Sequence, residues 1–199
     1  MARILLTGSR GFIGRYVYKA LTADKQHNII GIDIENVIPQ DSFDIIVHFG
    51  GMSRRSQGAE SPIECLQSNV LYTARLLQRT PPLFIFASTC EPATNVYGLS
   101  KRMAEDYIRL RALKHIILRL TNVVGKGMNP DKLLPRLARG EVAELPRDSI
   151  PFEYVRVEEV VDRVRKYCER EYKESFTTNL VTGIAKTKEE LCHVAAAYS

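Results

Sequence analysis

An α/β fold, a Rossmann-like doubly wound parallel sheet with a small C-terminal lobe, is what this 199-residue sequence predicts. Three observations carry the prediction. Short apolar runs of buried-strand length alternate with segments whose apolar residues recur at helical spacing. The first run stops at a glycine-rich turn that opens the first helix. The second ends in a carboxylate about 20 residues further on, the separation a dinucleotide site uses between its glycines and its ribose-binding acid.

The elements follow in order. Ile4, Leu5 and Leu6 form the first strand, and Gly8, Gly11 and Gly14 the turn after it. Phe12, Ile13, Tyr16, Val17, Ala20 and Leu21 then give the first helix an apolar face. Asn28 to Asp33 reads as the second strand, and Ile34 to Ser42 as a short polar connection. Phe43 to Gly51 is a third strand ending in paired glycines. Ser61 and Pro62 start a helix, the serine as cap and the proline in the first turn. Its apolar stripe runs through Ile63, Leu66, Val70, Ala74 and Leu77, until Pro81-Pro82 stops it. Leu83 to Ala87 is the fourth strand, ending at Ser88 and Thr89; a helix from about Asn95 to Leu113 and a strand from His115 to Leu120 follow.

From Thr121 the texture changes. Gly125, Gly127 and Pro130 mark a loop, Lys132 to Ala138 a short helix, and Pro146 and Pro151 flank a second loop. Phe152 to Val155 reads as a strand, Val157 to Glu171 as a charged amphipathic helix, Phe176 to Val181 as a strand and Lys188 to Ala197 as a closing helix. The expected division is a nucleotide-binding domain over 1–120 and a small, closely associated lobe over 121–199. That lobe would lie over the sheet's carboxyl edge, where open α/β sheets place ligands.

Composition narrows the classes. Hydrophobic content of 45% and charged content of 26% are ordinary globular values. The net charge of +5 is spread among acids with no basic run, so neither nucleic acid nor membrane is expected as a partner. Attraction to phosphorylated small molecules suits that charge equally well. Cys65, Cys90, Cys168 and Cys192 lack paired short spacings, which argues against a metal site or a disulfide frame and for reduced thiols in the cytoplasm. No run approaches membrane-spanning length and no signal peptide is expected.

Two constellations carry chemistry. The glycines at positions 8, 11 and 14 allow a tight turn and close backbone approach, so pyrophosphate oxygens can rest on amides at the helix start. Asp33 can accept from the adenosine ribose diol and would repel a 2′-phosphate; the alternative is a strand cap. Tyr97 and Lys101, four apart, share one helix face. An ammonium beside a phenol favours the phenolate, making Tyr97 a usable acid or base, whereas an exposed helix pair would do nothing. Ser88 and Thr89 put hydroxyls at the carboxyl edge beside it.

Together these segments resemble the extended short-chain dehydrogenase/reductase family, the NAD-dependent nucleotide-sugar epimerases and dehydratases. Residues 7–14 match T-G-x-x-G-F-I-G, residues 48–51 the H-x-A-A/G segment, and residues 97–101 Y-G-x-S-K. Ser68-Asn-Val70, residues 119–125 and residues 152–160 resemble further motifs of the family in the same order. The resemblance implies NAD, with NADP second, held by Gly8, Arg10, Gly11, Phe12, Ile13, Gly14, Asp33, Phe49, Gly50, Gly51, Asn69, Ala87, Tyr97 and Lys101. It implies Tyr97 as acid/base and Lys101 as the residue that holds the ribose and lowers the phenol's pKa, with Thr89 and Ser88 on the sugar oxygen. Asn122 and Thr89 would face the nucleotide-sugar substrate. The implied reaction is 4-epimerisation through a 4-keto sugar or a related dehydration, for which Glu91 would be the base. The alternatives are an NADP-dependent keto-sugar reductase and a non-catalytic NAD-binding regulatory protein. A homodimer through helices 62–79 and 95–113 is also implied, with Leu71, Leu76, Met103, Tyr107 and Leu110 on its face.

Three departures from the family pattern stand out. Only about 14 residues join Asp33 to His48, Cys90 replaces an acid, and Ile150-Pro151 stand where the family has an arginine. Arg10, inside the glycine turn, is placed either to meet a 2′-phosphate or to pair with Asp33.

Overall fold

The computed structural model describes residues 1–142, 144–145 and 150–198. The chain begins with β1 (Arg3–Thr7), α1 (Phe12–Ala23), β2 (Asn28–Ile32) and β3 (Ile45–His48). Then come α2 (Arg55–Glu60), α3 (Pro62–Leu66), a π turn (Gln67–Leu71) and α4 (Tyr72–Leu77). The middle holds β4 (Leu83–Thr89), α5 (Val96–Arg111), β5 (His115–Leu120), β6 (Asn122–Val124) and α6 (Leu133–Ala138). It closes with β7 (Phe152–Arg156), α7 (Val157–Glu169), β8 (Phe176–Leu180), β9 (Gly183–Ala185) and α8 (Lys188–Tyr198).

Six strands form one sheet in the order β2-β1-β3-β4-β5-β8, every neighbouring pair parallel. Because the chain steps outward from β1 to β2 and then returns to β3 on the other side, the loops leaving β1 and β3 diverge. That divergence opens a crevice at the carboxyl edge. Alternation along the strands separates two cores. Ile4, Leu6, Val47, Ile85 and Leu118 pack with α1 and α7, while Leu5, Ile46, Phe84, Phe86 and Ile117 pack with α4 and α5. Burial on both faces is why these strands read as unbroken apolar runs.

The first layer extends past the expected boundary at residue 120. β8 pairs with β5 as the sixth strand, and α7 packs on α1, so two elements from beyond 121 belong to the first layer. Among the described residues β6, β7, β9, α6 and α8 make the lobe, around Val124, Met128, Leu134, Phe152 and Leu191. The physical reason is the edge of β5: without β8 its backbone groups would face solvent unpaired. Residues 146–149 of the expected loop, Pro146 among them, lie outside the described residues.

The helix expected from Ser61 to Gln78 is present but broken by the π turn, whose extra residue rotates the inward face. Ile63 is consequently 65% exposed, whereas Ser68, Asn69, Tyr72, Thr73 and Leu76 point inward. A buried hydrogen-bond chain ties this turn to the sheet. The Thr73 hydroxyl donates to Asn69 O (2.7 Å), so His48 Nε2–H must donate to Thr73 Oγ1 (3.0 Å), leaving Nδ1 to accept from Thr7 (2.6 Å). Burial, and then the charge of Lys101, hold the His48 pKa well below its usual value, so the ring is neutral.

Glu105 is the second buried tie. Its fully buried carboxylate accepts from Ser88 Oγ (2.5 Å), Arg119 (2.6 and 3.0 Å), Arg109 (2.9 Å) and Arg102 (2.9 Å), joining α5 to β4 and β5. Burial pushes its pKa up, but hydrogen bonds from Arg119, Ser88 and Arg109 outweigh that and hold it at about 2. A depressed carboxylate stabilises the fold above its unfolded pKa and loses that effect as pH falls. Glu105→Gln should therefore lower the unfolding free energy by about 3 kcal/mol at pH 7, because three guanidinium groups lose their counter-charge. Urea melts should show that difference shrinking as pH falls from 4.5 toward 2.

Candidate active site

The glycine turn places the amino end of α1 in the crevice. Gly11 is the N-cap residue, with no side-chain cap bond and no acid in the first turn, so the first-turn amides are free to meet an anion. Gly8 has φ +72°, and a Cβ there would lie 2.7 Å from Gly50 N and 2.8 Å from Phe49 C. A Cβ on Gly14 would overlap Gly8 O. Phe12 and Ile13 pack against the first core, which anchors the helix start.

Asp33 follows β2 at the same edge. Its carboxylate accepts from Ser9 Oγ (3.1 Å), Arg10 N (3.2 Å) and Arg10 Nε (2.9 Å). Arg10 also pairs with Glu35, so the ion pair weighed against a phosphate-binding role for Arg10 is made. Across the crevice, Phe49 N donates to Thr7 O (3.1 Å) and Gly50 N to Thr7 Oγ1 (3.2 Å). Gly51 has φ +118° and stands against Asn69 Oδ1, which a Cβ would overlap. That oxygen is buried with no hydrogen-bond partner, while Asn69 Nδ2 donates to Ser100 Oγ (2.9 Å).

At the end of β4 the hydroxyls part company. Phe84, Phe86 and Ser88 face α5, so Ser88 is spent on Glu105 and does not share a side with Thr89. The Ser88 hydroxyl, expected beside Thr89 on the sugar oxygen, is thus placed on Glu105. Thr89 Oγ1 accepts from Glu91 N (3.1 Å), and its hydroxyl acts on the Tyr97 phenol to lower that group's pKa. Asn95 caps α5 by accepting from Gly98 N (2.9 Å) and so sets the direction of Tyr97, one residue into the helix.

Lys101 departs from expectation in one respect. Its buried ammonium donates to Ala87 O (2.8 Å) and stands 4.6 Å from the Phe86 ring centre. Burial lowers its pKa to about 8. The Tyr97 pKa is raised, by burial first, with the Thr89 hydrogen bond opposing and Glu91 adding. The lowering expected from Lys101 four residues away is not among these effects, and the phenol's pKa is raised. Glu91, the base a dehydration would need, is held by Arg55 and by Asn95 Nδ2 (2.8 Å). Asn122 is exposed on β6, its amide donating to Glu153 O (3.0 Å).

These residues fit a nicotinamide dinucleotide. Free helix amides, a glycine turn that side chains would fill, a carboxylate after β2 and an orphaned Asn69 oxygen lie along one edge of the sheet. Tyr72 was absent from the expected site; its hydroxyl is also buried and unpartnered, and only the π turn aims it there. Among the described residues no group of three or more His, Cys, Asp or Glu side chains could hold a metal ion.

Comparison with known proteins agrees with this geometry. The family model described as the NAD dependent epimerase/dehydratase family matches residues 4–162. A UDP-2-acetamido-2,6-beta-L-arabino-hexul-4-ose reductase of Pseudomonas aeruginosa is 30% identical over 144 residues, 65% of this chain. This chain spans only 38% of that relative's length. Among solved structures, MoeE5 in complex with UDP-glucose and NAD superposes with TM-score 0.82 at 21% identity, over 98% of this chain and 81% of that one. UDP-glucose 4-epimerase of Thermotoga maritima superposes with TM-score 0.78 at 23% identity, over 98% and 83%. With its glycine turn, its carboxylate after β2 and most of its length matched by the family model, the chain belongs to the NAD-dependent epimerase/dehydratase family.

Proposed function

We propose that this protein is an NAD-dependent nucleotide-sugar epimerase of the 4-epimerase type, working through a transient 4-keto sugar. The observation that carries the reading is the Tyr97 phenol beside the Thr89 hydroxyl at the carboxyl end of β4, one helical turn from buried Lys101. NAD, when bound, would supply the hydride acceptor and donor that this chemistry requires. Thr89 holds the sugar oxygen, and Tyr97 takes the hydroxyl proton as the carbonyl forms and gives it back as the alcohol re-forms. Asp33 holds the adenosine ribose, and the amino end of α1 carries the pyrophosphate. Asn122 is assigned to the nucleotide-sugar side. The Glu91 carboxylate, which a dehydration would need free as its base, is instead engaged by Arg55 and Asn95, which favours epimerisation.

A keto-sugar reductase is the second reading, favoured by the 30% identity to the Pseudomonas reductase. Purified protein carrying NAD that interconverts UDP-sugars with no net redox change supports the epimerase; stoichiometric NADPH consumption supports the reductase. With four unpaired thiols, the reducing cytoplasm is the proposed setting. No helix among the described residues is long and apolar enough to cross a membrane.

A homodimer through helices 62–79 and 95–113 is part of the proposal. Leu71, Met103 and Leu110 are 51%, 43% and 81% exposed on those helices. Leu76, also assigned to that face, is instead wholly buried, and Tyr107 packs on the second core; the π turn accounts for the rotation of Leu76.

Tyr97→Phe should lower turnover by about 10²–10⁴-fold, the range for losing a general acid/base, while NAD affinity stays within about twofold. An unchanged rate removes Tyr97 from the mechanism. Lys101→Met removes an ammonium that the fold disfavours. Between pH 8 and 10.5 the folded wild type has released a proton that the unfolded chain still binds, so the wild type gains stability there. The stability of Lys101→Met relative to wild type should thus be greatest below pH 8 and fall by up to about 3 kcal/mol toward pH 10.5 in urea melts. Sedimentation at micromolar concentration should give twice the 22.5 kDa chain mass; a monomer refutes the dimer.

A further inference from the structure

A series of hydrogen bonds connects the start of α2 to the start of α5. Arg55 Nε donates to Glu91 Oε1 (2.5 Å), Asn95 Nδ2 donates to the same oxygen (2.8 Å), and Asn95 Oδ1 accepts from Gly98 N (2.9 Å). Both ends of the Asn95 amide are thereby committed. With its nitrogen on Glu91, its oxygen is the end that caps the helix two residues before Tyr97.

Glu91 also holds the other hydroxyl of the site. Its backbone N–H donates to Thr89 Oγ1 (3.1 Å) while its side chain holds Asn95. One residue therefore touches Thr89 directly and orders the cap of the helix that bears Tyr97. Residues 90–95 join β4 to α5, and none of them belongs to a helix or a strand. Side-chain bonds accordingly give this connection its shape.

α2 closes the arrangement from the other side. Gly58 is buried, and a Cβ there would lie 3.1 Å from Tyr97 N and 3.3 Å from Tyr97 Cβ. A Cβ on Gly98 would overlap Pro92 O, so the connection folds directly onto the first turn of α5. α2 thus supports the tyrosine twice, by packing at Gly58 and through Glu91 at Arg55. The phenol also feels the carboxylate. Burial raises the Tyr97 pKa first, the Thr89 hydrogen bond opposes, and the charges of Glu91 and then of Cys65 on α3 add to the rise. Lys101 follows one turn along α5, and Arg55 partly neutralises Glu91.

We infer that Glu91 is a positioning residue and not a base: with Arg55 it holds Asn95 and Thr89 so that the Tyr97 phenol and the Thr89 hydroxyl face one substrate oxygen. The inference rests on the epimerase reading of Tyr97 and Thr89, and it gives Glu91 a task opposite to the one a dehydration would require. The Arg55 side chain is 65% exposed, and an ion pair this open to water adds little to stability. Its work is geometric.

Kinetics of the full chain with UDP-glucose, beside a spectroscopic titration, test the assignment. Glu91→Ala removes the acceptor that Asn95 needs. It should lower kcat about 10–100-fold, the scale of a small misplacement of reacting groups, with KM within about twofold. Glu91→Gln keeps an acceptor oxygen for Asn95 but cannot act as a base, so it should rescue most of that loss. Equal losses in the two variants make the carboxylate itself the reacting group and overturn the proposal, as does full activity in Glu91→Ala. Ultraviolet absorbance of the phenolate, taken as the difference from Tyr97→Phe, reads the site without turnover. Glu91→Gln should lower the Tyr97 pKa by removing a neighbouring negative charge, and Arg55→Gln, a surface change that spares the fold, should raise it. A Tyr97 pKa unmoved in both variants overturns the contact on which the proposal stands. Wild-type protein that fails to turn over UDP-glucose, yet shows both shifts, counts against the epimerase reading alone, because the titration still supports Glu91 as the phenol's neighbour.

Discussion

The rest of this molecule depends on one contact between backbones. Gly8 lies against the Phe49–Gly50 peptide with a positive φ, and Gly14 lies against Gly8 O, so neither position has room for a Cβ. That closeness brings the first helix up to the end of the third strand and leaves its amides facing the crevice. The Thr7–His48–Thr73 chain then carries the constraint through the sheet to the π turn, and with it to Asn69 and Tyr72. A neutral, fully buried imidazole suits that task, since a charged ring could not accept from Thr7.

α5 is fixed by two buried charges of opposite consequence, one turn apart. Glu105 is surrounded by donors and stabilises the docking of α5 on β4 and β5. Lys101 has one backbone carbonyl and an aromatic ring, too little to repay the desolvation that lowers its pKa. The helix is thus anchored at Glu105 and left under electrostatic stress at Lys101, beside the phenol assigned to proton transfer. A stability cost concentrated at a site and offset nearby is the pattern expected where function sets a residue against the fold.

Local signals made much of this legible in the sequence. Ile4 to Leu6, the three glycines and Asp33 lie within 30 residues of one another, and their roles follow from chain geometry that tertiary context does not override. The start of α5 and the shared face of Tyr97 and Lys101 follow from helix spacing in the same way. The turn of Ser88 toward α5 was also within reach, since Phe84 and Phe86 set the alternation. Other features were not local. The Phe-Thr-Thr-Asn-Leu strand β8 has the polar alternation of an edge strand, and only pairing with β5 places it in the main sheet. The π turn leaves the apolar count unchanged while rotating Leu76 inward and leaving Ile63 outward, so periodicity alone reads one straight helix. The Ala87 carbonyl that accepts the hydrogen bond from Lys101 has no signature in the side-chain sequence at all.

The central claim is that a dinucleotide pyrophosphate rests on the free amides of the first helix, within the edge defined by Asp33 and the Gly50–Gly51 turn. An amide-resolved NMR titration of the ¹⁵N-labelled protein with NAD measures this at the atoms concerned. The account predicts the largest shifts at Phe12, Ile13 and Gly14, with Asp33 and Gly51 moving along the same saturation curve. Saturable binding that leaves those amides unmoved, or no binding at millimolar NAD, would contradict it.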